Sequence, residues 1–177
     1  MGANDFEEWG FGASATEVFN KLKEKSLWRS GHEYSGEIGM KDGFTLVQLP
    51  SGFRFNMFDK YMNDVDKRET IRYHNLDRIR NKQWIEELLS KETEPKQKRA
   101  YQKRIKELSK EKRVPKSTIP EKYQKWCKQI YELREADKWG PALAIEVIGS
   151  FKDQYKERHG LKGKRGKLFV FMGLAPS

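Results

Sequence analysis

The apolar residues along this chain change period several times, and each change predicts a different element. Val18, Phe19 and Leu22 fall on one helical face. SATE, just ahead of them, sets Ser14 and Glu17 at capping-box spacing. A helix over about residues 15–28, ending before Gly31, follows. Residues 33–58 have a shorter period. Phe44, Leu46 and Val47 form one run, Phe53 and Phe55 alternate in the next, and Asp42-Gly43 and Ser51-Gly52 separate them. This predicts two or three antiparallel strands joined by tight turns. Pro50 belongs in a turn, since it has no N–H to give to a ladder.

Further on the pattern blurs and then clears. Asp66 followed by Glu69 suits the opening of another helix, but Ile71, Leu76 and Ile79 share no face of it, whereas Ile85, Leu88 and Leu89 after Trp84 make a stripe. KETEPKQ interrupts it. Pro95 suits a first helical turn, so Thr93 is read as the cap of a helix over 95–112. Thr118 and Glu121 repeat the capping-box spacing around Pro120. Tyr123, Trp126, Cys127, Ile130 and Tyr131 then give a broad stripe, a central core helix that WGP at 139–141 ends. Residues 142–158 read two ways. Ala144, Ile148, Phe151 and Tyr155 have helical spacing with a stop at Gly160, but LAIEVIG suits a strand, and Gly149 weakens a helix by roughly 1 kcal/mol. KLFVFMGLA at 167–175 is a buried strand. The N-terminal aromatics Phe6, Trp9 and Phe11, spaced by glycine, are a strap over the core or an arm for a partner.

The fold class expected is α+β: a small antiparallel sheet packed with several helices, one of them long, basic and projecting, or folded as a helical hairpin. The length suits a single domain over 1–177, with 64–117 as a protruding helical arm.

Composition sharpens this. The chain is 36% hydrophobic and 35% charged, yet 12% aromatic, so a few large rings can found the core. Net charge is +10 and the sequence pI about 9.6. The excess is local. Residues 71–118 carry +8 and residues 151–177 carry +5, while residues 1–40 carry −3. A field of that sign attracts polyanions: DNA, RNA, an anionic membrane face or an acidic protein.

The sharpest pattern is PKQKRAYQKRIKELSKEKR. Lys96, Arg99, Lys103, Lys106, Lys110 and Arg113 are spaced three, four, three, four, three, forming one continuous strip on a helix. Tyr101, Ile105 and Leu108 fall on the opposite side. Over about 25 Å such a strip can follow several phosphates. It is equally the solvated face of an amphipathic helix, with Glu107 and Glu111 as local neutralisers. A second group, KGKRGK, places Lys162, Lys164, Arg165 and Lys167 among Gly160, Gly163 and Gly166. Glycines let a backbone approach phosphate, and they also serve a plain turn. The order helix-loop-strand is the reverse of a P-loop, so nucleoside triphosphate binding is not supported.

Chemistry-bearing residues are sparse. The single cysteine, Cys127, lies on an apolar stripe and reads as a core thiol. His32, His74 and His159 are far apart, and His32-Glu33 lacks the second histidine of a zinc-protease motif. Glu37, Asp42 and Glu146, with Lys41 or Lys152 near them, faintly suggest a metal-dependent nuclease. Ser35 and Ser51 have no base partner in sequence. Trp28, Tyr34 and Phe53 are candidates to stack on bases, with packing in the core as the alternative for each. No catalytic residue, cofactor or metal is assigned. There is no apolar run of about 18 residues, no basic-then-apolar leader, and Phe6 stands where a myristoylation signal needs Ser or Thr; the cytoplasm is the expected compartment. The leading expectation is a non-catalytic nucleic-acid-binding protein, DNA or RNA, gripping phosphate with little sequence specificity. An assembly or inhibitor protein for an acidic protein partner is the alternative.

Overall fold

A computed structural model describes residues 2–30, 35–135 and 137–177. The class is α+β, with five helices and a four-stranded mixed sheet among the described residues. The chain divides into two compact units, one of Met1–Met62 with Pro120–Ser177, the other of Asn63–Ile119.

The first unit holds the sheet. Its strands are β1 (Ala3–Gly12), β2 (Phe44–Val47), β3 (Ala142–Val147) and β4 (Lys167–Pro176), in the order β1-β4-β3-β2. β4 pairs antiparallel with both β1 and β3, and β2 pairs parallel with β3. β4 is buried on both faces, which is why it reads as an unbroken apolar run. Phe169, Phe171 and Ala175 join Phe6, Ala144 and Ile38 in a core with Val18 and Phe19 of α1 (Ala15–Ser30). Ser14 and Glu17 cap α1 as expected: the Glu17 N–H donates to Ser14 Oγ at 3.2 Å and the Ala13 N–H to Glu17 at 2.9 Å. Gly10 lets α1 lie close on β1, because a Cβ there would meet Val18 Cγ1 at 2.3 Å.

On the other face, Trp9, Val170 and Ile145 share one side of the sheet through cross-strand pairing. Trp9 meets Phe55 edge-on at 5.6 Å; Phe55 stacks on Phe58, which meets Trp126 of the fourth helix. That helix, α4 (Glu121–Glu135), buries Tyr123, Cys127 and Ile130 and packs against β3 and β4. Lys41 is the largest fully buried side chain of this unit. Its Nζ donates to the Asp137, Lys138 and Gly140 carbonyls at 3.3, 3.0 and 2.9 Å, fixing the turn between α4 and β3. Burial holds its pKa below the ordinary lysine value, against the opposing pull of Asp137.

Several expectations are corrected here. Of the stretch 33–58 read as two or three antiparallel strands, the described residues 35–58 contribute one strand, β2, and no hairpin. Phe53 and Phe55 enter a hydrophobic cluster and a 3₁₀ turn, Phe55–Met57, with Pro50 closing a turn through the Phe53 N–H. The sheet is therefore antiparallel at two pairings and parallel at the third. The N-terminal aromatics form no strap but a ten-residue strand. Residues 142–158 are both alternatives in succession. β3 ends at Val147, Gly149 takes φ 76°, and α5 (Ser150–Arg158) follows.

The second unit contains most of α2 (Phe58–Lys91) and all of α3 (Pro95–Leu108). α2 is one uninterrupted 34-residue helix. The chain returns antiparallel to it after a three-residue link. Arg78 donates to the Glu107 carbonyl at 2.8 Å, Asn75 bonds Lys112, and Asp64 receives Ser117 and Thr118. The cap predicted at Thr93 is not formed: the N-cap position of α3 is Glu94, which makes no side-chain cap bond, and the Glu92 carboxylate accepts from the Thr93 and Glu94 N–H groups within the link. The Thr118 hydroxyl, expected at the start of α4, donates to Asp64.

Candidate nucleic-acid interface

α3 is amphipathic as its sequence predicts. Leu108 is buried, Tyr101 and Ile105 are half-buried, and Lys96, Arg99, Lys103 and Lys106 are exposed along the opposite side. The strip is shorter than expected. α3 stops at Leu108, not 112, so Lys110 and Arg113 lie beyond it in an extended segment, exposed. The stop has a local cause. The Ser109 N–H and hydroxyl both bond the Ile105 carbonyl, at 2.9 and 2.8 Å, and the Lys110 N–H turns back to Glu107. The helical part of the strip thus spans about 15 Å, from Lys96 to Lys106, at 1.5 Å per residue.

What surrounds these cations matters as much as their spacing. Glu107 pairs with Arg104 at 3.2 Å, off the strip. Among the described residues no carboxylate forms an ion pair with Lys96, Arg99, Lys103 or Lys106.

In the first unit, the KGKRGK loop joins α5 to β4. Its glycines answer to turn geometry. Gly160 (φ 62°) ends α5 in a Schellman motif, with the Gly160 N–H on Glu157 and the Leu161 N–H on Lys156. Gly163 (φ 81°) supplies the left-handed corner of the turn closed by Lys164 N–H to Leu161. The Lys156 ammonium donates to the Lys164 carbonyl at 2.8 Å and tethers the loop to α5. The four loop cations then differ. Lys167 is 2.8 Å from Glu146 across the β3–β4 pair, and Lys162 is 3.9 Å from Glu157. Lys164 and Arg165 are exposed, with no ion pair among the described residues.

Sequence reasoning missed the other feature of α5, a stack of flat rings. Trp9 of β1 lies over Phe151 (5.3 Å, 27°) and Tyr155 (6.1 Å, 26°), and Tyr155 lies over His159 (4.1 Å, 27°). Burial pushes the Tyr155 hydroxyl above the ordinary tyrosine pKa. The signal was present: Phe151, Tyr155 and His159 are spaced four and four, one row on a helix. It stayed hidden because the tryptophan completing the stack comes from the opposite end of the chain.

No protein-family model matches the chain, and no curated protein or solved structure is significantly similar to it. The site therefore rests on its own geometry.

The remaining candidates separate. Glu37 accepts from Ser26 at 2.7 Å and pairs with Arg29 at 2.9 Å; the Ser26 bond leads in holding its pKa low. Glu146 is paired with Lys167, so these carboxylates are engaged apart from each other. Among the described residues no three His, Cys, Asp or Glu side chains are grouped to hold a metal ion. Cys127 is fully buried. Phe53 packs against Tyr61, Tyr123 and Trp126, so it is not an open stacking surface, whereas Trp28 is 91% exposed. His32, Glu33 and Tyr34 lie outside the described residues. No helix among the described residues is long and apolar enough to cross a membrane.

Proposed function

We propose that this is a non-catalytic nucleic-acid-binding protein that grips phosphate electrostatically and with little sequence specificity. The observation that carries the reading is the unpaired row Lys96, Arg99, Lys103 and Lys106 on α3, whose nearest helical acid is committed to Arg104. A solvated face needs charge but has no need to keep its acids off one row. Lys110 and Arg113 extend the basic segment, and Lys164 and Arg165 make a second grip in the other unit. Lys162 and Lys167 belong to that loop with their charge partly taken up.

The test is a salt titration of binding to DNA and RNA, for the wild type and for a variant with Lys103, Lys106 and Lys110 reversed to Glu. Each neutralised phosphate contributes about −0.9 to the slope of log K against log salt on B-DNA. The variant is expected to bind more weakly and with a shallower slope. Absence of binding at low salt would overturn the reading.

A second reading, an assembly or inhibitor protein, has its own support. Tyr73, Leu76 and Trp84 of α2 are 65, 56 and 58% exposed, more apolar surface than a solvated helix requires. A protein that co-purifies after nuclease treatment, and is lost on Trp84→Ser, would favour it.

A further inference from the structure

We infer that the cleft beside α5 takes an unstacked base of a single-stranded nucleic acid, continuing the row of rings that Trp9, Tyr155 and His159 begin. The inference rests on the nucleic-acid reading above and narrows it to strand type and contact.

Three observations point to that occupant. First, the rings are inclined to one another by only 26 and 27° in sequence along the stack, and His159, its last member, is exposed. A flat ring added there gains the offset stacking that the first three already share. Every base has such a face, so the contact tolerates sequence. Second, the cleft of about 360 Å³ is lined by these rings together with Glu7, Asp59, Gln154 and Arg158. Its two carboxylates repel phosphate but accept hydrogen bonds from the exocyclic amines of a base edge. Glu7 already accepts from the Trp9 indole N–H at 2.7 Å, which fixes the ring at the base of the stack. Third, charge is divided around one helix. A second cleft shares Gln154 with the first and is lined by Lys156 and Lys162 together with Asp153 and Glu157, so its excess of positive charge comes from the loop beyond it. Its loop carries the unpaired Lys164 and Arg165. Base on the aromatic side and backbone toward the Lys164 and Arg165 loop is the polarity a single strand requires. A duplex keeps its base faces stacked on each other and has none to offer.

The experiment compares three fluorescent probes of equal charge: a single-stranded oligonucleotide, the same strand with abasic sites, and a duplex carrying the same number of phosphates. DNA and RNA forms of the intact strand are run side by side. Proteins are the wild type, His159→Ala and His159→Phe; His159 is exposed and follows the last turn of α5, so both variants keep the fold. The intact strand is expected to bind about fivefold or more tighter than the abasic strand, given the usual worth of one stacked base. His159→Ala should remove most of that preference and leave abasic binding unchanged, while His159→Phe retains it. Equal, salt-sensitive binding of intact and abasic strands would overturn the base site and leave the electrostatic reading standing. Failure of every probe to bind at low salt would overturn both.

Discussion

Asn75 of α2 holds the backbone of Lys112 from both sides: its side-chain oxygen accepts from the Lys112 N–H at 3.0 Å, and its amide donates to the Lys112 carbonyl at 2.8 Å. A single side chain thus does for this segment what a neighbouring strand would do. The segment has no regular structure of its own to satisfy those groups, and Asn is the residue that offers both a donor and an acceptor at one end. The basic residues Lys110 and Arg113 flank the point it holds.

Asn75→Leu should therefore free that segment without unfolding α2. The expected cost is about 1 kcal/mol, that of a hydrogen-bonded group in a half-exposed place. Amide exchange at Lys112 and its neighbours should accelerate, while exchange in the middle of α2 is unchanged. Uniform acceleration along α2 would show that the bond is more than a local clamp.

Asp64 holds the same return further along. It accepts from the Ser117 hydroxyl at 2.9 Å, the Thr118 N–H at 3.1 Å and the Thr118 hydroxyl at 2.9 Å. Burial by itself would raise its pKa, but these donors, with the Arg68 charge, hold it below the ordinary 3.8. The folded state thus binds the proton less readily than the unfolded chain. Its stabilising contribution is present above the unfolded pKa and is lost as pH falls through the lowered one. Asp64→Ala should cost about 1–3 kcal/mol at pH 7. The gap to the wild type in denaturant titrations should close as pH falls through the carboxylate range. A gap independent of pH would assign the loss to packing.

Lys41 illustrates how far a side chain can depart from the pattern around it. It sits in a polar-looking GMKDG stretch, yet is 1% exposed and gives its three donors to three carbonyls. Lys41→Met keeps the bulk and removes the donors, leaving acceptors without a partner in a closed site. The expected loss is about 2–3 kcal/mol in thermal or denaturant unfolding. A change below about 0.5 kcal/mol would mean that water replaces the ammonium there.

The same contrast explains which parts of the fold were legible in the sequence. α1, α4 and β4 were readable because each writes its burial into a local period, and because Ser14 with Glu17 caps where the spacing says. α2 was not, since its middle turns bury no single stripe: Tyr73, Leu76, Ile79 and Trp84 face solvent. Ion pairs along it, Lys82 with Glu86 and Lys91 with Glu87, support the helix in place of a core face. β2 was legible as a strand in Phe44, Leu46 and Val47, but its pairing was not, because its partner is β3, about a hundred residues away, and no local turn signals it. β1 was hidden by its glycines, which are poor strand formers; Gly10 is there for the sake of Val18. At the basic strip, the spacing of the cations was legible, but Ser109 as a helix stop and the pairing of Glu107 with Arg104 depend on side-chain direction, which period does not encode.

Lys164 of the loop and Lys167, the first residue of β4, lie three residues apart and carry the same formal charge, but only Lys167 has a carboxylate at 2.8 Å. The nucleic-acid reading makes them unequal. A cation already matched by Glu146 has little counterion to release when phosphate arrives, whereas Lys164 replaces a diffuse ion atmosphere with a contact. Lys164→Ala is expected to reduce the salt slope of binding by about one contact. Lys167→Ala should weaken affinity at a given salt, because net charge falls, yet leave the slope nearly unchanged. Salt titrations of the two variants against one probe separate these effects, since slope and intercept are read independently. Equal loss of slope would mean that Glu146 surrenders its partner to the nucleic acid, and the division between matched and unmatched cations would no longer describe how the loop binds.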